Sequence, residues 1–318
     1  MEILVSGGTG FVGAALLQRL AERADWHVSA LVRKADVSLP AGVTPVMLST
    51  DQPFAPVAPA GRVDVVVHCA ARVHVMKDLA SDPLAEFRRV NVEGTLNLAR
   101  YAVQAGARRF VFLSSIKVNG ESSAPERPFR ADDVAAPVDP YALSKFEAEQ
   151  LLRTIAEQSG LQVVIIRIPL VYGPGVKANF HALMRCLQAG IPLPVGAVAN
   201  KRSLVALENL VDLILTCIEH PAAANQTFLV ADGEDLSAAE LARRLGIALN
   251  RSARLLPVPP ALLQLGARLL GRRAIYERLC GSLQVDIDKT REMLGWKPPI
   301  NVDEGLRRAA EGFLERCR

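Results

Sequence analysis

Tyr141 and Lys145 stand four residues apart in Tyr-Ala-Leu-Ser-Lys, and Glu147, Ala148, Leu151 and Leu152 continue a helical pattern, so both side chains project from one face. A tyrosine, with a pKa of about 10, is a poor base at neutral pH, but a nearby lysine ammonium would stabilise the phenolate and bring it toward the working range. Ser114 and Ser115 close an apolar run. A hydroxyl there can donate to a substrate oxygen while Tyr141 exchanges its proton, which suits hydride transfer at the adjoining carbon. Ser115, Tyr141 and Lys145 are therefore the candidate catalytic residues. Singly, such spacings and strand-end serines are common; their joint order behind a glycine-rich loop gives them weight.

That loop is Gly7, Gly10 and Gly13, a G-x-x-G-x-x-G directly after the first apolar run and at the start of a helical pattern. Backbone must turn tightly there and approach a pyrophosphate, so Gly7, Thr9, Gly10, Phe11, Val12 and Gly13 are candidate dinucleotide contacts. The second strand ends Leu31, Val32, Arg33, Lys34. A carboxylate at this place would hold the adenosine ribose and repel a further phosphate. With Arg33 and Lys34 there instead, a 2′-phosphate is stabilised, and NADP is favoured with NAD possible.

The elements that must position these groups are strands at 3–6, 28–32, 43–48 (weaker), 63–68 and 109–114, closed by 163–167, with helical patterns at 13–23 and 92–105 between them. Alternation of this kind predicts an α/β fold: a Rossmann, doubly wound parallel sheet with both faces covered. After Arg167 the chain turns to proline- and glycine-rich loops and short helices, which predicts a smaller C-terminal α+β substrate-binding domain. The expected division is 1–168, plus a returning segment at about 203–230, against 169–318, interleaved.

The bulk composition excludes several classes. A net charge of +4 over 318 residues, without a run of like charges, gives no footprint for nucleic acid and no polybasic membrane patch. Five scattered cysteines without C-x-x-C spacing suggest neither a disulfide framework nor a zinc site, so no metal and a reducing, cytoplasmic setting are expected. No leader pattern opens the sequence. The most apolar late segment, 261–270, is too short to span a bilayer and contains Arg268.

The glycine loop, Asn91 in Val-Asn-Val-Glu-Gly-Thr, the Phe-Leu-Ser-Ser strand end, Tyr141 with Lys145, and Arg167-Ile-Pro-Leu-Val-Tyr-Gly-Pro-Gly together resemble the extended short-chain dehydrogenases over essentially the whole chain. Within these the chain is similar to the nucleotide-sugar epimerase, dehydratase and reductase group. Lys117-Val-Asn-Gly and Gly-Val-Lys-Ala-Asn-Phe resemble a branch from bacterial O-antigen, and hence lipopolysaccharide, gene clusters. The resemblance implies further cofactor contacts from Cys69, Ala70, Ala71, Asn91, Ser114 and Ile168. It also implies a grip on the sugar diphosphate by Asn179, Arg202 and Arg278, arginine suiting phosphate through its planar fork. His74 and Tyr172 are candidate pocket residues, while His68 reads as a packed histidine and Pro174 as a turn. A UDP-linked sugar as partner, and a homodimer through a four-helix bundle of 92–105 and 141–158, are implied in the same way.

Dehydratases of this family carry an acidic pair just after the catalytic Ser or Thr; here those positions are Ile116 and Lys117, which cannot do that acid–base work. What is left is one reversible hydride transfer at C4. Used once, it is reduction of a UDP-4-keto-6-deoxy-N-acetylhexosamine; used twice with a held NAD, it is 4-epimerisation. The missing ribose carboxylate favours the reductase. Asn119, where the family carries tyrosine at the active-site rim, makes transfer of epimerase contacts doubtful. A non-catalytic NADP sensor and a reductase of a small aromatic or steroid ketone stand as more distant alternatives.

Overall fold

The computed structural model describes the chain apart from residues 35, 50–52, 55, 57–60, 74–81, 125, 272 and 317–318 and the side chains of 273–275 and 278. Six strands, β1 (Glu2–Ser6), β2 (His27–Val32), β3 (Val43–Met47), β4 (Val65–His68), β5 (Arg109–Ser115) and β6 (Gln162–Ile168), lie parallel. The chain then leaves the sheet through β7 (Leu170–Tyr172) and β8 (Arg202–Ala206), rejoins it at β9 (Thr227–Leu229) beside β6, and leaves again at β10 (Asp235–Leu236). The main sheet has the order β3-β2-β1-β4-β5-β6-β9, and β10-β8-β7 form a second, small one. The seventh strand, β9, is three residues long, too short to show a pattern of its own in the sequence.

Helices α1 (Phe11–Ala21), α2 (Pro83–Phe87), α3 (Gly94–Gln104) and α4 (Pro140–Ser159) belong to the first half, α2 and α3 being joined by a π-helical stretch, Arg88–Glu93. The second half adds α5 (Ala178–Gln188), α6 (Leu207–Glu219), α7 (Ala238–Ala248), α8 (Pro260–Leu269), α9 (Arg273–Cys280), α10 (Asp288–Leu294) and α11 (Val302–Arg316). Successive strand residues bury on opposite faces, which is why the strands read as unbroken apolar runs. Ile3, Val5, Val65, Val67 and Val111 join the core under α1 and α6, whereas Leu4, Val66, Phe110 and Phe112 join the one under α3 and α4. A third core gathers Tyr172, Phe180, Met184, Leu245, Leu306 and Phe313 where α5, α7 and α11 cover the small sheet. In the segment after β8, α6 packs on α1 and β5.

The parallel sheet puts the carboxyl ends of β1, β4, β5 and β6 on one edge, the place where open α/β sheets bind ligands. From that edge emerge the glycine loop, residues 69–73, Ser115 and Ile168.

Candidate active site

Gly7 follows β1 with φ +73°, and a Cβ there would lie 2.6 Å from the Ala70 amide nitrogen, so only glycine lets the loop after β4 close against the loop after β1. At Gly13 a Cβ would meet the Gly7 carbonyl oxygen at 2.2 Å, so α1 can enter the turn only without a side chain. Gly10 caps α1 with no side-chain hydrogen bond, and the helix has no acid in its first turn. Thr9 and Gly10 are exposed and Phe11 and Val12 half-buried, so the first amides of α1 stay available to an anion. Arg33 and Lys34 stand exposed at the end of β2, and the same loop carries an exposed carboxylate, Asp36, that the strand-end reading left out. This cradle, with its open amides and cations, fits a dinucleotide.

Asn91 sits in the π-helical stretch, almost fully buried. Its Oδ1 accepts from the Arg72 amide at 2.8 Å, and its Nδ2 donates to the Arg72 carbonyl and to the Ser144 hydroxyl, each at 3.0 Å. One side chain therefore ties the loop after β4, which holds Cys69, Ala70 and Ala71, to the helix that carries Tyr141 and Lys145. Asn91 acts on that loop rather than projecting into the crevice. His68 is buried, bonded through Nδ1 to Ser6 and through Nε2 to Thr95, and burial holds its pKa well below the usual imidazole range: a neutral, packed histidine.

Helix α4 begins at Asp139, whose Oδ1 accepts from the Ala142 amide at 2.7 Å, followed by Pro140 in the first turn. That start sets Tyr141 on the crevice side beside Ser115, with the Phe87 ring edge-on at 6.0 Å. One turn on, the Lys145 ammonium lies 4.1 Å from the centre of the Phe112 ring. Ser115, Tyr141 and Lys145 thus gather at the carboxyl edge of the sheet. Their electrostatics differ from the expectation. Burial pushes the Tyr141 phenol up to about 12, Ser115 lowering it and Asp139 adding to the rise, with no contribution from Lys145. Burial brings Lys145 itself down to about 7, opposed by Glu149 and Cys69. Cys69 is pushed up to about 12, again by burial, so its thiol stays protonated.

Behind this row lies a buried network that the sequence reading missed. Glu149, one further turn along α4 and fully buried, accepts from Arg167 on β6 through both oxygens, at 3.0 and 2.7 Å. Ser114 donates to the same carboxylate, so its hydroxyl faces inward and is not a cofactor contact as expected. Arg167 also donates to Asn119 Oδ1 at 3.0 Å, and Asn119 donates to the Arg130 carbonyl at 2.9 Å. Asn119 is therefore an internal brace and not a residue of the active-site rim, which removes that objection to epimerase-like contacts. The i, i+4 spacing of Tyr141, Lys145 and Glu149 is the signal that would have found the acid.

Tyr172 is likewise corrected. It is wholly buried, stacked on Phe180, and donates to Asp232 at 2.7 Å, so it belongs to the third core and not to a pocket wall. Arg202 opens β8 half-buried, with one guanidinium nitrogen on the Gly281 carbonyl at 3.1 Å; burial lowers its pKa while Glu121 opposes. Asn179 is exposed in the first turn of α5. Ile168 ends β6 opposite Ser115. His74 and the side chain of Arg278 lie outside the described residues. Ile116 is buried, and Lys117 pairs with Glu121 at 2.9 Å and with Asp139, so the position where a dehydratase has its acids holds a neutralised cluster.

Residues 3–231 match the NAD dependent epimerase/dehydratase family. The chain is 51% identical over 318 residues to a UDP-glucose 4-epimerase of Vibrio cholerae, covering 99% of this chain and 96% of that protein. It is 27% identical to a GDP-6-deoxy-D-mannose reductase of Pseudomonas aeruginosa, covering 100% and 98%. Its fold superposes on the crystal structure of a UDP-glucose 4-epimerase from Thermotoga maritima with a TM-score of 0.77, at 21% identity and full coverage of both chains. With the glycine cradle and the Ser-Tyr-Lys row already in place, these similarities make the chain a member of the NAD-dependent epimerase/dehydratase family.

Proposed function

We propose that this protein is an NAD-dependent 4-epimerase of a UDP-linked hexose. The observation that carries the reading is its 51% identity, over nearly the whole length, to a protein named UDP-glucose 4-epimerase. The sequence alone favoured a reductase using NADP; the balance turns because the reductase relative stands at 27%, the family is described as NAD dependent, and Asp36 adds a carboxylate to the strand-end loop. Arg33 and Lys34 favour a 2′-phosphate, so the nucleotide recovered from the protein is itself part of the test.

Bound nicotinamide would accept the C4 hydride and return it to the opposite face of the same sugar, with no net redox change. The chain's own residues do the rest. Tyr141, once ionised, would take the proton of the C4 hydroxyl as the carbon becomes a ketone and give it back on return, with Ser115 supporting the oxygen throughout. Burial holds the phenol up at about 12 in the chain by itself, so the positive charge of a bound nicotinamide would be what favours the phenolate. Lys145, buried with its pKa brought down to about 7 and thus half-charged at pH 7, would find in the ribose hydroxyls of the cofactor the polar partners that the Phe112 ring does not offer. Asn179, Arg202 and Arg278 would grip the diphosphate, and α3 with α4 would pair two copies as the resemblance implies.

Protein purified without added nucleotide should release NAD on denaturation and interconvert UDP-glucose and UDP-galactose with no external cofactor. Release of NADP, or consumption of NADPH by a UDP-4-keto sugar with no epimerisation, would replace this reading with the reductase.

A further inference from the structure

We propose that α8 and the segment leading into it form a docking face for an anionic membrane surface. In α8 none of the residues is buried, although it is one of the more apolar helices of the chain. Leu262, Leu265 and Leu269, at helical spacing, are 58%, 54% and 79% exposed, and Leu270 beyond the end is 73% exposed. Leu256, just upstream, is also exposed. A helix that folds back on a globular enzyme normally turns such a stripe inward. Here the stripe faces out, and the helix rests on α9 alone among the larger contacts. Contiguous apolar surface of this kind marks a contact with something.

Charge identifies the occupant. From Leu241 to Tyr276 the sequence has seven arginines and no aspartate or glutamate, in a chain whose total net charge is only +4; because they are spaced out and form no run, the sequence reading, which expected no membrane patch, passed over them. Arg244 is neutralised by Glu234 and Asp303, while Arg251, Arg254 and Arg268 are exposed in the same stretch as the leucines. Leucines flanked by arginines, with no acid among them, match an interface in which acyl chains lie beneath anionic headgroups. A nucleic acid would leave the leucines in water. A second copy would set the arginines of both chains against each other. No described helix is long and apolar enough to cross a membrane, so the contact is with the surface.

The full chain, without nucleotide or sugar, is mixed with phosphatidylglycerol vesicles or with phosphatidylcholine vesicles and sedimented. The wild type should pellet with the anionic vesicles and much less with the neutral ones, and raised salt should weaken the binding. Leu265→Glu with Leu269→Glu should lower the bound fraction about tenfold or more, with Arg268→Glu giving a smaller loss. An unchanged thermal midpoint, expected because these side chains are in water, shows that the variants fold. Equal pelleting with and without vesicles, equal binding to the two lipids, or binding unmoved by the glutamates would each overturn the proposal. So would a drop in the solution mass of the protein on making the leucine variants, which would assign the face to another copy of the chain.

Discussion

Ser114 and Ser115 are neighbours in an extended strand, where adjacent side chains point to opposite faces, so only one can serve the crevice. The structure sends Ser114 inward to Glu149 and leaves Ser115 with Tyr141. The sequence places both at the strand end, but the choice between them follows from which face is core, a fact of packing rather than of residue type. The same limit applies to the phenol. Spacing puts Tyr141 and Lys145 on one helix face, yet the dominant influence on each is burial, which spacing does not report. Tyr141→Phe should keep the fold and any bound nucleotide and lower kcat for epimerisation by about 10²–10⁴-fold, the usual worth of a positioned proton carrier. A variant with near-normal turnover would remove Tyr141 from the chemistry. Lys145 offers a thermodynamic test. Its folded pKa of about 7 lies below the ordinary 10.5, so between those values the unfolded chain holds the more protons. Stability contributed through this group must therefore rise with pH across that window, by at most about 1.4 kcal/mol per unit, while below pH 7 the penalty of the buried charge is fully present. In nucleotide-free protein, the unfolding free energy of the wild type minus that of Lys145→Met should climb from pH 7 to pH 10. A flat difference would place the ammonium in water.

Helix α4 is the element on which the site depends, and two fixings hold it. At its start, Asp139 caps the helix and pairs with Lys117, while at mid-length the buried Glu149–Arg167 pair ties it to β6. Such a pair is weak as a source of stability when complete, but removing one partner leaves a charge with no solvent. Arg167→Ala should thus cost about 3–5 kcal/mol, seen as a lower urea midpoint, and should also loosen the turn held by Asn119; a loss well under that range would mean that water or a neighbour replaces the guanidinium. Much of this element is legible in the sequence. Pro140 and the apolar positions mark the helix, and five of the six longer strands of the main sheet announce themselves as apolar runs because both faces are buried, while β3, mostly exposed, shows only a weaker pattern. What escapes is the short and the polar: β7, β9 and β10 are two or three residues each, and nothing in an isolated Asn119 or Asn91 says that it points inward, Glu149 alone being betrayed by its spacing from Lys145. A polar residue enters a core only when partners from distant segments arrive with it, and those arrivals are tertiary.

At the scale of the whole molecule, the chain leaves the main sheet after Ile168, runs through β7 to Tyr172, and is tied back near its end. Asp232 sits where these paths cross, almost buried, accepting from the Tyr172 hydroxyl, from the Ala206 amide at 2.8 Å and from Asn209 at 2.7 Å. Asn209 in turn exchanges two hydrogen bonds with the backbone of Ile300, just before α11. Burial raises the Asp232 pKa, and the donors around it oppose that rise. The hub therefore links β7, β8, α6 and the approach to α11, which is how a small second core is held to a large first one. The sequence reading made Tyr172 a pocket residue and the structure makes it a tie between cores, two roles that differ in what its loss would do. Tyr172→Phe keeps the ring stacked on Phe180 and removes a single donor to a buried carboxylate, a loss of about 1.5–3 kcal/mol. The thermal midpoint should fall while kcat and KM for the sugar nucleotide stay within about twofold, since a shift in binding free energy of a few tenths of a kcal/mol is all that a distant repacking transmits. If KM instead rose tenfold with the midpoint unmoved, the hydroxyl would have to reach the substrate, and the hub would be organised around ligand rather than around the join between the two cores.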